Sequence, residues 1–241
     1  EAAAEAALAR DTAKLRSLAE SFDVLAAGMI ADDCAHGDLK PANIIVDREL
    51  KLHPIDFDAT FLPAFAGEAS PELGTAAYQH PARTAADFNE RLDDYPAALI
   101  STGLHALAED PTFWDRYGTT DGLLFSPREI PGDPAYREAL ALFERRGRAV
   151  QYRVAQLLCA PSLQLFGLAG LLREAVRQAG EQQPATDEST PELFVENGRW
   201  GYRTPKRIVI PPLYDSGFDF TEGLAAVLLG GTWHYIDTTG R

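Results

Sequence analysis

The stretch HGDLKPAN at residues 36–43 constrains the fold of this chain more than any other part of its sequence. It follows a region of strong helix formers and precedes two short apolar runs, at residues 44–46 and 50–55. Between those runs lies Asp47-Arg48-Glu49, and apolar runs separated by such polar residues are typical of a small β-hairpin. We therefore expect an α+β fold, mainly helical, with a polar cluster directly before a hairpin.

Helix-forming segments make up much of the chain around this hairpin. The apolar spacing over residues 1–31 predicts one long helix or two in sequence. A further helix is expected from near Asp93, and others over residues 135–158 and 162–179. Residues 59–88 are rich in Gly, Pro, Ala, Ser and Thr and are too long for a plain connection, so we expect a functional loop there.

The residue types in the 36–43 stretch are those that phosphoryl transfer to a hydroxyl group needs. Such a reaction requires a carboxylate that orients the hydroxyl, a cation that offsets phosphate charge, and hard oxygen ligands for Mg²⁺. The spacing H-x-D-x-x-x-x-N supplies Asp38 as the base and Lys40 as the cation. Asn43, together with Asp56 beyond the hairpin, would hold Mg²⁺ against the phosphates of ATP.

Four segments, in order, resemble landmarks of protein kinases, specifically the eukaryotic-like Ser/Thr kinases found in bacteria. HGDLKPANIIV, from His36, resembles the catalytic loop, and IDFD, from Ile55, resembles the DFG element. GTAAYQHPAR, from Gly74, resembles the GT-x-x-Y-x-x-P-E segment that closes the activation loop. LDDYPAALISTGL, from Leu92, resembles the central helix of the C-terminal lobe. The resemblance covers about residues 1–180 and implies a protein-kinase C-lobe.

The kinase resemblance assigns roles to individual residues. Thr75 would hydrogen-bond to Asp38 and Lys40, and Ile45 would form the floor under the adenine of ATP. ATP and Mg²⁺ are the implied cofactors, and the Ser or Thr hydroxyl of a protein is the implied substrate. The implied site residues are, for catalysis, Asp38, Lys40 and Thr75; for the nucleotide, Ile45, Asn43 and Asp56; and for the metal, Asn43 and Asp56.

Several positions depart from the kinase pattern. Gly37 replaces the arginine that usually grips a phosphorylated activation loop, which implies activity independent of loop phosphorylation. Asp58 replaces the glycine of DFG, and Pro81-Ala82-Arg83 replaces Pro-Glu, so the usual Glu–Arg pair is lost or reversed in charge. The chain holds no Gly-rich loop and no strand lysine ahead of residue 36. We therefore expect an N-terminal lobe in a longer parent protein, and an incomplete catalytic unit in this chain alone.

Residues 193–241 differ from the rest, with short strand-like runs punctuated by aromatic residues and glycine. GRWGY at residues 198–202 recurs as GTWHY at residues 231–235, an offset of 33 residues that is typical of a repeat architecture. Residues 181–192 are polar and hold two prolines, so we expect a linker between this region and residues 1–180.

This C-terminal region resembles WG repeats, short β-modules that are used for binding. The matching features include Trp200-Gly201-Tyr202 and Glu222-Gly223-Leu224-Ala225, whereas His234 replaces the glycine of the second unit. One full unit and the start of another are present, so we expect the array to continue past Arg241. The resemblance implies a short all-β segment that binds a protein partner.

Composition excludes some classes of partner. A formal net charge of −14 disfavours nucleic acid, because an acidic surface repels phosphate backbones. No run of about 18 apolar residues is present, so no membrane span is expected. Cys34 and Cys159 lack a CxxC partner, which favours free buried thiols in a reducing cytoplasm.

Two other functions fit part of the pattern. Small-molecule phosphotransferases of the aminoglycoside or choline kinase type share HGDL-x-P-x-N and IDFD, but should lack Lys40 and the GT-x-x-Y segment that contains Thr75. A non-catalytic pseudokinase scaffold, with the WG repeats providing the binding, is the second alternative. A purely structural role is a further alternative, since Asp38 and Asn43 could simply cap turns.

Overall fold

The computed structural model divides into two compact units, residues 1–182 and 183–241. Within the described part, seven α-helices and small antiparallel sheets make the chain a mixed α and β protein that ends in a strand-rich region. The residues that the structure describes are 1–119, 122–182, 191–205, 207–220 and 223–241.

Two helices in sequence open the first unit, as the apolar spacing predicted: α1 (Ala2–Leu8) and α2 (Thr12–Ala31). Arg10 lies between them with a φ of 57°, which breaks the helix. The carboxylate of Asp11 then caps α2 by accepting a hydrogen bond from Lys14 N at 2.9 Å. The other α-helices of this unit are α3 (Asp94–Glu109), α4 (Phe113–Tyr117), α5 (Pro134–Arg145), α6 (Ala149–Leu157) and α7 (Leu168–Gln182).

Helix α3 is the centre of the first unit and is buried along most of its length. It packs against α2, where buried Asp23 accepts hydrogen bonds from Ser101 Oγ at 2.6 Å and His105 Nε2 at 2.8 Å. Large apolar side chains fill the space around it, and burial of each Phe or Leu stabilises the fold by about 1.5–3 kcal/mol. Among the largest fully buried side chains are Phe22, Tyr95, Phe113, Tyr136 and Phe143.

The predicted hairpin is present, with strands β1 (Ile44–Val46) and β2 (Leu52–Pro54) paired antiparallel. Asp47 shapes its turn, because its carboxylate accepts hydrogen bonds from Glu49 N at 3.0 Å and Lys51 N at 2.8 Å. A 3₁₀ turn, Pro41–Asn43, leads directly into β1. The polar segment at residues 36–43 therefore lies directly before the hairpin, as the sequence predicted.

The boundaries of the later helices differ from those predicted. The helix expected over residues 135–158 is two helices, because Gly147 takes a φ of 66° just beyond α5. Gly147 N and Arg148 N then bind the carbonyls of Glu144 and Phe143, which closes α5 with a Schellman motif. The helix expected over residues 162–179 begins only with α7, which follows Gly167 at a φ of 90°.

The second unit contains two three-stranded antiparallel sheets. Its core holds Tyr202, Ile210, Tyr214, Ala225, Val227 and Ile236. One sheet joins β3 (Glu192–Glu196), β4 (Arg199–Arg203) and β5 (Ile208–Tyr214) in that order. The other joins β6 (Ser216–Gly217), β7 (Leu224–Leu229) and β8 (Thr232–Asp237).

The 33-residue offset in the sequence corresponds to two equivalent hairpins. The turn between β3 and β4 has φ values of 52° at Asn197 and 74° at Gly198. The turn between β7 and β8 has φ values of 60° at Gly230 and 82° at Gly231. Two successive positive φ values are typical of type I′ turns, whose twist suits a tight hairpin. Each aromatic motif therefore lies on the strand that leaves such a turn.

A few expectations concern other parts of the chain. Residues 183–190 of the predicted linker, and Glu222 of the repeat motif, lie outside the described residues. Cys34 and Cys159 are free thiols, but the expected burial was wrong for Cys159, which is exposed beyond α6. Among the described residues, no helix combines the length and apolarity needed to cross a membrane.

Candidate active site

Asp93, at the start of α3, fixes the segment that carries the polar cluster. Its buried carboxylate accepts hydrogen bonds from His36 N and from Gly37 N, the latter at 3.1 Å. The side chain of Asp93 therefore makes no hydrogen bond that caps α3, and it holds a chain segment 56 residues away instead. Burial raises the pKa of Asp93 to about 6, although the hydrogen bonds from His36 and Gly37 oppose this shift.

Asp38 is the point at which the predicted catalytic residues meet. Its Oδ2 accepts a hydrogen bond from Lys40 Nζ at 2.6 Å, and its Oδ1 accepts one from Thr75 N at 2.6 Å. Lys40 Nζ also donates to Thr75 Oγ1 at 2.9 Å. Asn43 Nδ2 donates to Asp38 O at 3.0 Å and Oδ2 at 3.3 Å. The structure thus brings four of the six predicted site residues into direct contact.

The charge state of Asp38 follows from these contacts. Partial burial alone would raise the pKa of the Asp38 carboxyl. Hydrogen bonds from Lys40 and Thr75, together with the positive charge of Lys40, outweigh that effect and lower the pKa below its usual value. Asp38 is therefore an anion at neutral pH, able to orient a hydroxyl group that approaches it.

Two glycines allow the chain to come this close to Asp38. Gly37 has a φ of 81°, and a Cβ there would lie 2.1 Å from Ala59 O. Gly74 has a φ of 69°, and a Cβ there would lie 2.7 Å from Gly37 O and 3.0 Å from Asp38 Oδ1. Because glycine has no side chain, the chain at these two positions comes close enough for Thr75 N to reach the carboxylate of Asp38.

The hairpin places Asn43 opposite Ile55, the residue before Asp56. The strand register continues beyond β1 and β2, since Ile55 N donates to Asn43 O at 2.9 Å. Asp56 follows at once, is exposed, and has a φ of 68°, a conformation that non-glycine residues adopt mostly where surrounding structure requires it. Asn43 uses Nδ2 for Asp38, so its Oδ1 is the atom that a cation would take.

These two side chains offer hard oxygen atoms, which suit Mg²⁺. Among the described residues there is no group of three or more His, Cys, Asp or Glu placed to hold a metal ion. A magnesium ion commonly takes only one or two carboxylates and completes its shell with phosphates and water. The donors on Asn43 and Asp56 therefore fit Mg²⁺ that arrives with a nucleotide, rather than a site made entirely by protein.

The remaining predicted residues flank this cluster. Ile45, on β1, is 53% exposed and makes an apolar surface at the hairpin. His36 Nε2 donates to Ile55 O at 2.8 Å, and its ring contacts Phe57 at a centroid distance of 5.4 Å. His36 therefore ties the segment at residues 36–43 to the residues on either side of Asp56.

A cavity of about 460 Å³ opens beside the segment that follows Thr75. Ala76 and Ala77 form one wall, and residues from the connection between α4 and α5 form the others. Most of its lining surface is apolar, and the lining includes Leu124, Phe125 and Pro127 as well as the charged Arg128 and Asp133. Two of its lining residues directly follow Thr75 in the chain, so any occupant of this cavity would lie against the segment that binds Asp38.

Arg83 is the residue of this site that the sequence did not reveal. The sequence indicated only that the ion pair of the kinase type is lost or reversed in charge there. In the structure the guanidinium is buried, and its Nη1 donates to Gly37 O at 2.7 Å. The sequence differs from the kinase pattern at two positions that could have indicated this contact. An arginine is present at residue 83, and the arginine usual at residue 37 is absent.

Comparison with known proteins bears on the second unit. A family model described as a WG containing repeat matches residues 206–233, which span β5, β6 and β7 and reach Trp233 in β8. The predicted resemblance to WG repeats is confirmed over that segment. No curated protein sequence matches the chain. The kinase resemblance of the first unit stays a prediction.

Proposed function

We propose that the first unit is the catalytic lobe of a protein Ser/Thr kinase, which transfers the γ-phosphoryl group of ATP to a hydroxyl group. The observation that carries this proposal is the contact of Asp38 with Lys40, Asn43 and Thr75, since it joins two chain segments, residues 38–43 and Thr75, around one carboxylate. ATP, bound with Mg²⁺, would supply the phosphoryl group and charge neutralisation at the phosphates.

Asp38 would hold the hydroxyl group of the substrate in line with the phosphoryl group. In the reaction, the hydroxyl oxygen forms a bond to phosphorus, the bond from phosphorus to the oxygen of the leaving ADP breaks, and the hydroxyl proton passes to Asp38. A lowered pKa makes Asp38 a weak base, so its main contribution is orientation. Lys40, which lies 2.6 Å from Asp38 Oδ2, would offset the negative charge of the transferred group.

Asn43 and Asp56 would hold the metal through side-chain oxygens. The hydrogen bond from Ile55 N to Asn43 O keeps the two residues next to each other at the end of the hairpin. Ile45 would supply an apolar surface for the adenine ring, which its exposure on β1 permits. Removal of the Asp56 carboxylate would weaken metal-dependent nucleotide binding more than binding of the nucleotide without metal.

Protein substrates are the class that this site favours. Thr75 accepts from Lys40 and donates to Asp38, and the two residues that follow it, Ala76 and Ala77, line the cavity of about 460 Å³. The cavity bounded by those alanines is largely apolar, and it suits an apolar side chain next to the reacting residue of a polypeptide. A small sugar or aminoglycoside would make little use of such a surface.

The test compares Asp38→Asn with Asp32→Asn in the full-length protein. Asp38→Asn keeps the size of the side chain and removes its charge, whereas Asp32 is an exposed residue at the end of α2. With Mg-ATP we expect phosphate incorporation into protein substrates, a loss of roughly 1,000-fold or more in Asp38→Asn, and full transfer in Asp32→Asn. Undiminished transfer by Asp38→Asn, or transfer only to sugars and aminoglycosides, would contradict the proposal.

A second candidate function is binding of a protein partner by the WG-repeat segment. The observation that favours it is an exposed aromatic face on the β6–β8 sheet, where Phe218 is 61% and Tyr235 is 77% exposed. Trp233, which is half exposed, stacks on Phe218 at 5.4 Å. If scaffolding is the main role, Trp233→Ala abolishes the cellular function of the protein and Asp38→Asn leaves it intact. If catalysis is the main role, Asp38→Asn abolishes it.

A further inference from the structure

Arg83 carries a buried positive charge that the proposed chemistry does not use. Its side chain is within the first unit, and the residue is only 9% exposed. Nη1 donates to Gly37 O at 2.7 Å, and Nη2 donates to Glu72 O at 3.2 Å and to Ser70 Oγ at 3.4 Å. Nε has no hydrogen-bond partner among the described residues. A buried arginine with mostly main-chain acceptors holds chain segments in place, because guanidinium donors have a fixed geometry.

One segment held by Arg83 is the peptide group that leads into Asp38. The main chain of Gly37 is bound on both sides, with its N–H on Asp93 and its carbonyl on Arg83. Position 37 cannot itself carry a side chain, because a Cβ would lie 2.1 Å from Ala59 O. The guanidinium that binds the carbonyl of Gly37 comes instead from residue 83. It fixes the orientation of the peptide group from which Asp38 projects.

The other segment is the loop that leads to Thr75. The carbonyl of Glu72 and the hydroxyl of Ser70 are bound by Nη2, while Ser70 Oγ also donates to Glu72 O at 2.6 Å. Three residues after Glu72, Thr75 N donates to Asp38 Oδ1. Both segments that meet at the carboxylate of Asp38 are thus attached to the same guanidinium.

The charges around Arg83 suit this arrangement. Burial lowers the pKa of the Arg83 guanidinium, and the nearby carboxylates of Asp93, Asp38 and Asp87 oppose the shift. The arginine therefore stays charged, as arginine does in proteins. A cation at this place adds to the stabilisation of Asp38 as an anion without a direct contact.

We propose that Arg83 is a positioning residue, which sets the alignment of Asp38 and Thr75 by binding the two chain segments that carry them. The inference rests on the proposed function for its kinetic consequence only. Its structural consequence, attachment of the Thr75 segment to the Asp38 segment through one side chain, is measurable without any catalysis.

The kinetic test uses Arg83→Met and Arg83→Lys, with Arg91→Met as the control. Arg91 is also an arginine of the first unit, but it pairs with Asp94 at 2.8 Å instead of binding near Asp38. We expect Arg83→Met to lower kcat by about 100-fold, with KM for ATP changed less than about threefold, because misalignment affects the reaction and not nucleotide binding. Arg83→Lys, which keeps the charge and one set of contacts, should recover part of kcat. An unchanged kcat in folded Arg83→Met overturns the inference.

The second test is hydrogen exchange of two main-chain amides that donate to carboxylates. Thr75 N binds Asp38, and Leu165 N binds Asp94 at 2.8 Å. Arg83→Met should speed exchange at Thr75 by about 10-fold or more and leave Leu165 unchanged, whereas Arg91→Met should do the reverse. Arg83→Lys should exchange at Thr75 at a rate between those of wild type and Arg83→Met, and equal protection of Thr75 in wild type and in folded Arg83→Met overturns the inference. If wild type transfers no phosphate, the proposed function fails while this exchange result still decides the role of Arg83.

Discussion

The side-chain amide of Asn43 reaches back over the 3₁₀ turn to Asp38, donating to its main-chain oxygen at 3.0 Å and to Oδ2 at 3.3 Å. Asn43 therefore serves Asp38 as a donor and leaves its own side-chain oxygen for the proposed metal. A carboxylate at residue 43 would keep the oxygen ligand but lose the donor, and it would add a negative charge beside Asp38.

Asn43→Asp is accordingly expected to impair catalysis in a pH-dependent manner. The new negative charge raises the pKa of Asp38, so the acidic limb of the kcat profile moves to higher pH. We expect kcat at neutral pH to fall by about 100-fold. Asn89→Asp is the matched control, because Asn89 Oδ1 only accepts from Arg91 N and an aspartate keeps that acceptor. A kcat profile of Asn43→Asp that matches wild type would contradict this assignment of Asn43.

Thr75 offers two separable contacts, one from its main chain and one from its hydroxyl. Thr75→Val removes the acceptor for Lys40 Nζ but keeps the N–H that binds Asp38. We expect about a 10-fold lower kcat with little change in thermal stability, because one hydrogen bond to a charged group is lost. Thr75→Ser, which restores the hydroxyl, should stay within about threefold of wild type. A Thr75→Ser variant as impaired as Thr75→Val would show that the methyl group, not the hydroxyl, matters.

The cluster around Asp38 was predictable to the extent that it depends on local spacing. The turn from Asp38 to Asn43 and the hairpin behind it follow from sequence patterns of a few residues, and the structure shows both. Arg83 could not be found in this way, because its partner is a main-chain carbonyl 46 residues away. Any residue type can supply a carbonyl, so such a contact leaves no mark in the sequence of the acceptor.

The ends of the helices were also only partly predictable from the sequence. The division between α5 and α6 depends on Gly147, and glycine within a helical pattern is compatible both with a break and with a continuous helix. The role of Asp93 was also undetermined, since a carboxylate before a helix normally caps it. Here packing of α3 beneath the segment at residues 36–37 gave that carboxylate two main-chain donors from elsewhere.

Gly37 and Gly67 form a matched pair that separates lack of space from backbone strain. Both have positive φ, 81° and 91°, but a Cβ at Gly37 would meet Ala59 O at 2.1 Å whereas Gly67 has open space around it. Gly67→Ala should cost about 1–2 kcal/mol from the backbone conformation alone. Gly37→Ala should cost at least about 3 kcal/mol, since the chain at Ala59 must also move. Urea denaturation of both variants measures the two losses in free energy of unfolding. Equal losses would refute the close approach of Gly37 to Ala59.

Gly201 provides a corresponding test in the second unit. A Cβ there would lie 2.7 Å from Ile210 O and 2.8 Å from Pro212 N, so β5 could not keep its place beside β4. We expect Gly201→Ala to abolish the dispersed indole signals of Trp200 and Trp233 in NMR spectra while that of Trp114, in the first unit, persists. Gly198→Ala, at an open position, should retain all three. Retained dispersion in Gly201→Ala would mean that the two strands can separate without loss of the fold.

Asp93 links the pH dependence of stability to the geometry of the site. Its pKa is raised to about 6 by burial, whereas the unfolded chain has a value near 3.8. Between these values the folded protein binds more protons than the unfolded chain, so this group lowers the free energy of unfolding as pH rises from about 4 to 6. Above pH 6 the loss is complete and amounts to on the order of 3 kcal/mol.

Asp93→Asn imitates the protonated acid and cannot ionise, so it should not pay this cost. The free energy of unfolding of Asp93→Asn, relative to wild type, is therefore expected to rise between pH 4 and pH 7 by up to about 3 kcal/mol. Asp32→Asn, which removes an exposed carboxylate, should show no comparable rise. The same variant should lose activity, because an amide can accept from only one of His36 N and Gly37 N while its NH₂ group opposes the other. A stability difference that stays flat over this pH range would show that the carboxylate of Asp93 is not buried in the way the structure describes.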